Sequence, residues 1–421
     1  MNKIILSLAS MLAVVAFTPE ASALPAFTRQ TGLACSACHQ QHFPVLNNFG
    51  RSFKAAGYTM MGTQARIESD QLSIPANMNA ALLVKIRYQK DDSTGVGNTT
   101  TGTPNGLGDG QLQFGDEFSL FLGGRVAENI GFLFEGNTVS ADSLLAGFKL
   151  PISFDMGTTR LSVIPFTTHS LGVQYGYELS SGGVMRSDRW AEHRRETSAI
   201  QYNADRGIDG GAATGFALVA QNDMGFINLT KWAPAFAMGS NGGGNHSYDM
   251  SSGYIRIAAT PTIGDWALVA GGGAMNGTSL TTNTVAAPVA VLVDTRQTFL
   301  DLQAHGKVSG KDLGVYAQYA SAPATANGNA YNQKGAVGDR TALTIGADYS
   351  MIPRTLILGA AFRTADNGAA ASGDDALTLT AVYNWYQNVA LHLDYSLYSG
   401  SAHNAAGTPG YMTTFMLEAA W

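Results

Sequence analysis

Tyr411-Met412-Thr413-Thr414-Phe415-Met416-Leu417-Glu418-Ala419-Ala420-Trp421 ends the chain, and its reading decides the fold. In an extended strand successive side chains point to opposite faces, so Tyr411, Phe415, Leu417, Ala419 and Trp421 share one face and Glu418 falls on the other. The first face is compatible with lipid, and the second with a wetter interior. An aromatic residue at the end of such a strand resembles the signal by which barrel assembly recognises outer-membrane proteins.

Working back from that strand, the chain after about Met78 is a series of strand-like segments of about ten residues bounded by turn residues. Ala80 to Gln89, Phe118 to Val126, Gly264 to Ala270, Phe299 to Ala304, Leu343 to Tyr349, Leu356 to Phe362 and Leu377 to Trp385 are examples. Their connections alternate in length. Short turns at Lys307 to Lys311, Met351 to Arg354 and Tyr386 to Asn388 take turns with long polar loops such as Ser321 to Gly338, Thr364 to Gly373 and Ser399 to Pro409. That asymmetry is the habit of outer-membrane barrels, with tight periplasmic turns and longer external loops. The expected fold is therefore all-β, a transmembrane antiparallel barrel of about 16 strands, within roughly 14 to 18 and even in number.

Composition agrees. Only 13% of residues are charged, the formal net charge is -6 and there are 49 glycines, with no basic tract to suggest nucleic acid. No apolar run after the N-terminus is long enough for a membrane helix, whereas barrel strands alternate and never raise the hydropathy average. The chain opens with Asn2-Lys3, an apolar run from Ile4 to Phe17 and then Ala21-Ser22-Ala23, the pattern of a secretory signal with its small-residue cleavage site. Residues 1–23 are expected to be removed, 24–77 to form a separate small segment and 78–421 to form the barrel.

The small segment carries the chemistry. Cys35, Cys38 and His39 spell C-x-x-C-H with the protein's only two cysteines, the attachment pattern of one covalent haem c, with His39 as proximal iron ligand. A structural zinc site would need a second ligand pair, and a thioredoxin-like motif would need a βαβ setting that the flanking sequence lacks. A plain disulfide is the remaining alternative. After Pro44, Leu46, Phe49 and Phe53 recur at helical spacing with Arg51 and Lys54 on other faces, so a short helix could lay an aromatic side on a porphyrin. A segment this small cannot bury a core of its own. It is expected inside the barrel or at its periplasmic mouth, as a plug or cap. The distal iron ligand is open: His42 reads as one helical turn from His39 on the same side, and Met60 is a tentative candidate, with ordinary packing as its alternative.

Other signals are weaker. Arg186, Arg189, Arg194, Arg195 and Arg206 mix with acidic residues and read as lumen or loop charges, with a constriction role as the alternative. His169, His246, His305, His392 and His403 are scattered without ligand spacing. Gly106 to Gly110 and Gly271 to Gly273 read as loop and strand glycines, because neither opens a helix or precedes Gly-Lys-Ser/Thr.

Phe27-Thr28-Arg29-Gln30-Thr31-Gly32, then Cys35 to His39, Phe43-Pro44, Leu46, Phe49-Gly50-Arg51, Phe53-Lys54 and Gly57-Tyr58-Thr59 together resemble the N-terminal signature of the fused cytochrome-porin iron oxidases of neutrophilic iron-oxidising bacteria. The resemblance covers about the first sixty residues, and the barrel matches in size and style. It implies an iron-oxidase-type oxidoreductase in the bacterial outer membrane. Extracellular Fe(II) would be the electron donor and a periplasmic c-type cytochrome the acceptor. Cys35 and Cys38 would be the thioether attachments and His39 the proximal ligand, with Arg29, Arg51 and Lys54 candidates to meet the haem propionates. Two other readings stay open: a general electron conduit with a non-iron donor, and a diffusion porin in which haem is a structural plug.

Overall fold

The computed structural model describes residues 25–93, 108, 110–138, 144–169, 171–180, 211–236, 250–282, 290–332, 337–366, 368–405 and 407–421. The expected export signal, the charged run from Arg186 to Arg206 and His246 lie outside these residues.

From Ala80 to Ala420 the chain forms one closed antiparallel barrel of 16 strands. Each strand pairs with its neighbours in sequence, and the first, Ala80–Asp91, pairs with the last, Tyr411–Ala420. Two strands are interrupted, Leu145–Lys149 from Ile152–Met156 and Ser252–Ala259 from Thr262–Ile263. Pro151 and Pro261 stand in the two gaps, each lacking the N–H that the ladder needs.

Alternation sets the two faces of the wall. Along Val389–Ser399, Leu393, Tyr395 and Leu397 are exposed on the outside while His392, Asp394 and Ser396 are buried within. Along Asp375–Tyr386, Leu377 and Leu379 face out and Thr378 and Thr380 face in. The exterior is thus an apolar band suited to lipid and the interior is largely polar. The last strand keeps its expected alternation: Phe415 is exposed, Met416 and Glu418 are buried, and Trp421 exchanges backbone hydrogen bonds of 2.8 and 3.0 Å with Leu82.

Several strands run longer than their sequences suggest. Trp266–Asn276 continues through Gly271, Gly272 and Gly273, although glycine weakens a strand. Here the missing side chains make room, because a Cβ on Gly271 would stand 2.6 Å from Nη1 of the buried Arg256.

Among the described residues, the N-terminal segment and the run 171–180 both enter the lumen. The N-terminal segment holds three short helices, α1 (Pro25–Thr31), α2 (Cys35–Cys38) and α3 (Asn48–Ala55), followed by a hairpin of Arg66–Ser69 and Leu72–Pro75. Its wall contacts gather near the short turns. Gln41 Nε2 donates to the carbonyls of Asp312 and Asp348 at 3.2 and 3.3 Å, the Cys35 Sγ lies 3.7 Å from the Gln387 carbonyl, and Asn48 Nδ2 donates to Thr262 at 3.2 Å. The second filling is the run 171–180, all of it buried. Within it Glu178 accepts from Arg256 Nε at 3.0 Å, and Arg256 also lies 2.8 Å from Asp301, a buried ion network between loop and wall. The charged run 186–206, for which a constriction was the alternative reading, lies outside the described residues.

A candidate cofactor site in the plug

Gln30 at the end of α1 anchors the plug. It is completely buried, and its Nε2 donates to the carbonyls of Tyr58 and Met60 at 2.6 and 2.8 Å. Its Oε1 accepts from Asn79 Nδ2 at 3.1 Å and from the Arg125 amide at 3.3 Å. One amide thereby joins α1, the end of the plug and two stretches of wall, and leaves none of its own groups unpaired.

Cys35 and Cys38 occupy the single turn of α2 as free thiols. Burial pushes Cys35 up to about 12 and raises Cys38 in the same direction, so both are held neutral. The chain then leaves the helix at His39, whose backbone is extended. Residues 39–46 double back: His39 bridges Leu46, and the Gln40 amide donates to the Val45 carbonyl at 2.8 Å. This corrects the placing of His42 one helical turn beyond His39. His42 sits near the tip of a tight loop and turns to the wall, with Nε2 3.0 Å from Glu418 Oε1.

Helix α3 begins where Asn47 caps it, its side chain accepting from the Gly50 amide at 2.9 Å. It crosses α2 so closely that a Cβ on Gly50 would collide with the Cys38 carbonyl oxygen. Between the helices and the wall opens a cavity of about 100 Å³. Cys38 and His39 line one side; Phe27, Phe43, Leu46, Phe53 and Tyr58 give it an apolar aromatic lining. Phe121 and Leu133 come from the wall and Tyr175 from the inward loop, while Lys54 and Glu135 are its charged groups. Phe27 stacks on Tyr58 at 5.0 Å and meets Phe53 edge-on at 5.1 Å.

These residues fit a haem c. Two thiols and an imidazole in C-x-x-C-H order, next to an aromatic cavity with a single lysine on its lining, are a suitable donor set and shell for a covalently held porphyrin. Cys38 borders the cavity itself, and Cys35 lies a turn back against Gln387.

Other expected site residues are placed differently. Phe49 is 40% exposed and does not line the cavity, because α3 turns Gly50 and Phe53 toward it instead. Arg29 donates to the Ala80 carbonyl at 2.5 Å. Arg51 is buried, with Nη2 3.3 Å from His305 Nδ1, and desolvation lowers its guanidinium to about 10. Of the three cations considered for propionates, only Lys54 lines the cavity. Met60 is held through its backbone carbonyl by Gln30, and its side chain is not part of the lining. Sequence reading missed Tyr175, Glu135 and Leu133, whose places depend on barrel closure and on an inward loop with no motif of its own. It also treated His305 and His392 as isolated, whereas each meets a plug residue.

No protein-family model and no curated protein sequence matches the chain; solved structures do. OmpT of Vibrio cholerae is similar at 12% identity and TM-score 0.48, with 85% of this chain and 100% of that chain covered. The outer membrane channel DcaP of Acinetobacter baumannii aligns at 10% identity and TM-score 0.46, over 82% and 97%. A mutant Rh. blastica porin aligns at 12% identity and TM-score 0.45, over 82% and 100%. What the chain does has to come from its own plug.

Proposed function

We propose that this chain is an outer-membrane electron-transfer protein that takes electrons from extracellular Fe(II) at one covalent haem c and passes them to a periplasmic c-type cytochrome. The observation that carries the reading is the C-x-x-C-H turn, half-buried against the barrel wall beside an aromatic cavity. When bound, the haem supplies a one-electron couple, and the protein tunes it by ligand, burial and hydrogen bonding. Cys35 and Cys38 would hold the ring and His39 its iron, the Phe27, Phe53 and Tyr58 cluster would exclude water, and Lys54 would be the cation available to a carboxylate of the group. Fe(II) as donor rests on the resemblance of the first sixty residues. An external donor also suits the chemistry, since ferric product precipitates near neutral pH and is best left outside the cell.

The plug sits toward the short-turn end, the periplasmic side by the usual barrel orientation, which favours an acceptor docking there. Stopped-flow mixing of the oxidised, haem-loaded protein with Fe(II) tests the reading. Reduction at the haem bands is expected, and a correctly loaded haem that stays oxidised retires the iron-oxidase assignment. If organic reductants are faster donors than Fe(II), the general-conduit reading takes its place.

One observation favours the diffusion porin as a second reading. A polar cavity runs beside α3 at the short-turn end, lined by Asn48, Arg51, Ser52, Asp155, Arg160 and Asp223. Open-channel steps from the intact protein in a planar bilayer would support it.

A further inference from the structure

The wall side of the plug holds a second constellation, separate from the haem-attachment residues. Among the described residues, His42, His392 and Glu418 each bring one ligand atom to within 4.8 Å of the others, and all three are buried. They come from distant places: the loop tip after α2, the strand Val389–Ser399 and the last strand Tyr411–Ala420. Glu418 Oε1 lies 3.0 Å from His42 Nε2 and 4.0 Å from His392 Nε2. Its other oxygen faces Lys85 Nζ at 3.6 Å, and Lys85 is also paired with Glu117. The two imidazoles stand 5.2 Å apart between centroids, at 69°.

Two imidazoles and one carboxylate are the donor set of Fe(II) and Zn(II) sites that leave positions open. Ligand atoms each about 2.0–2.2 Å from one ion lie roughly 3–3.5 Å from one another. The observed separations approach that spacing, so small side-chain movements would close it. A His–carboxylate hydrogen bond accounts for His42 alone. It does not account for a second buried imidazole brought to the same carboxylate oxygen. Lys85 is shared between Glu117 and one oxygen of Glu418, while the other oxygen of Glu418 faces the imidazoles.

We propose that His42, His392 and Glu418 bind one divalent transition-metal ion that clips the plug to the barrel wall. The site uses none of the haem-attachment residues and stands whether or not the electron-transfer reading does.

The full chain, purified in detergent and stripped with chelator, is given zinc chloride, desalted and assayed for metal by mass spectrometry. The Cys35→Ser/Cys38→Ser form is measured in parallel, because those thiols could hold zinc themselves. One zinc per chain is expected in both forms, with His392→Ala and Glu418→Gln each weakening retention by more than about tenfold. Cobalt substituted into the thiol-free protein should give a visible spectrum of nitrogen and oxygen ligation, a readout that does not depend on whether the ligand variants assemble. Loss of all zinc from the thiol-free form, or retention unchanged by His392→Ala and Glu418→Gln in barrels that assemble normally, overturns the site.

Discussion

Gln30 shows how much one side chain can decide. Replacing it with Ala removes a donor pair from two plug carbonyls and an acceptor from Asn79 and Arg125, at about 1–3 kcal/mol for buried groups left unsatisfied. The plug should then loosen before the wall does. Limited proteolysis of Gln30→Ala is expected to cut within residues 25–77 faster than in wild type while the barrel stays resistant; equal plug resistance would count against the anchor. Cys35 makes a pH-dependent case. Burial places its folded-state value near 12, above the ordinary 9.0, so the neutral thiol is favoured and this contribution to stability is complete below pH 9.0. It is lost as pH rises toward 12, and haem-free protein should melt at progressively lower temperature across that window. At pH 8.5 its alkylation by iodoacetamide in the haem-free protein should be slower than in urea, because burial lowers the thiolate fraction. A comparable rate in both conditions would contradict burial of the thiol. The placing of Cys35, Cys38 and His39 side by side was legible in the sequence because the motif is written within five consecutive residues. Gln30 and His392 were not, since their partners lie far away in the chain.

At the scale of elements, the contact between α2 and α3 governs the cavity. Gly50 lets the helices meet, and Gly50→Ala has to push α3 off the Cys38 carbonyl. Covalent haem per chain, read as the pyridine haemochrome, is expected to fall at least severalfold in Gly50→Ala. A control on the exposed side of α3, Ser52→Ala, should change it far less. If the two variants load haem equally, helix contact does not shape the site. The periodicity after Pro44 announced α3, but it pointed to Phe49 where the structure uses Gly50. A helical wheel cannot show which side the neighbouring helix occupies. Strands were legible for the opposite reason: alternation records a single inside and outside, and Leu393 against His392 is enough to read it. Their lengths were less so, because Gly271 to Gly273 look like a break, whereas the strand runs on through them, with Gly271 set against Arg256 and Gly273 against Phe299.

For the whole molecule, the barrel closes through its own first and last strands, without a strand from the plug. A 16-stranded wall encloses enough room for an aqueous channel, so deletion of residues 25–75 should convert a protein passing little current into one with large, steady conductance. Similar conductance with and without those residues would show that the segment does not occlude the lumen. Architecture was the most legible level, since turn asymmetry and the last strand imply a closed cylinder of about this size. The inward run 171–180 was illegible, because it depends on partners such as Arg256 that only closure brings near. Closure also imposes a timetable. The joint between Ala80–Asp91 and Tyr411–Ala420 is the final one available to a chain made from its N-terminus, and Glu418 on that joint reaches His42. The plug therefore takes its final seat only once that joint has closed.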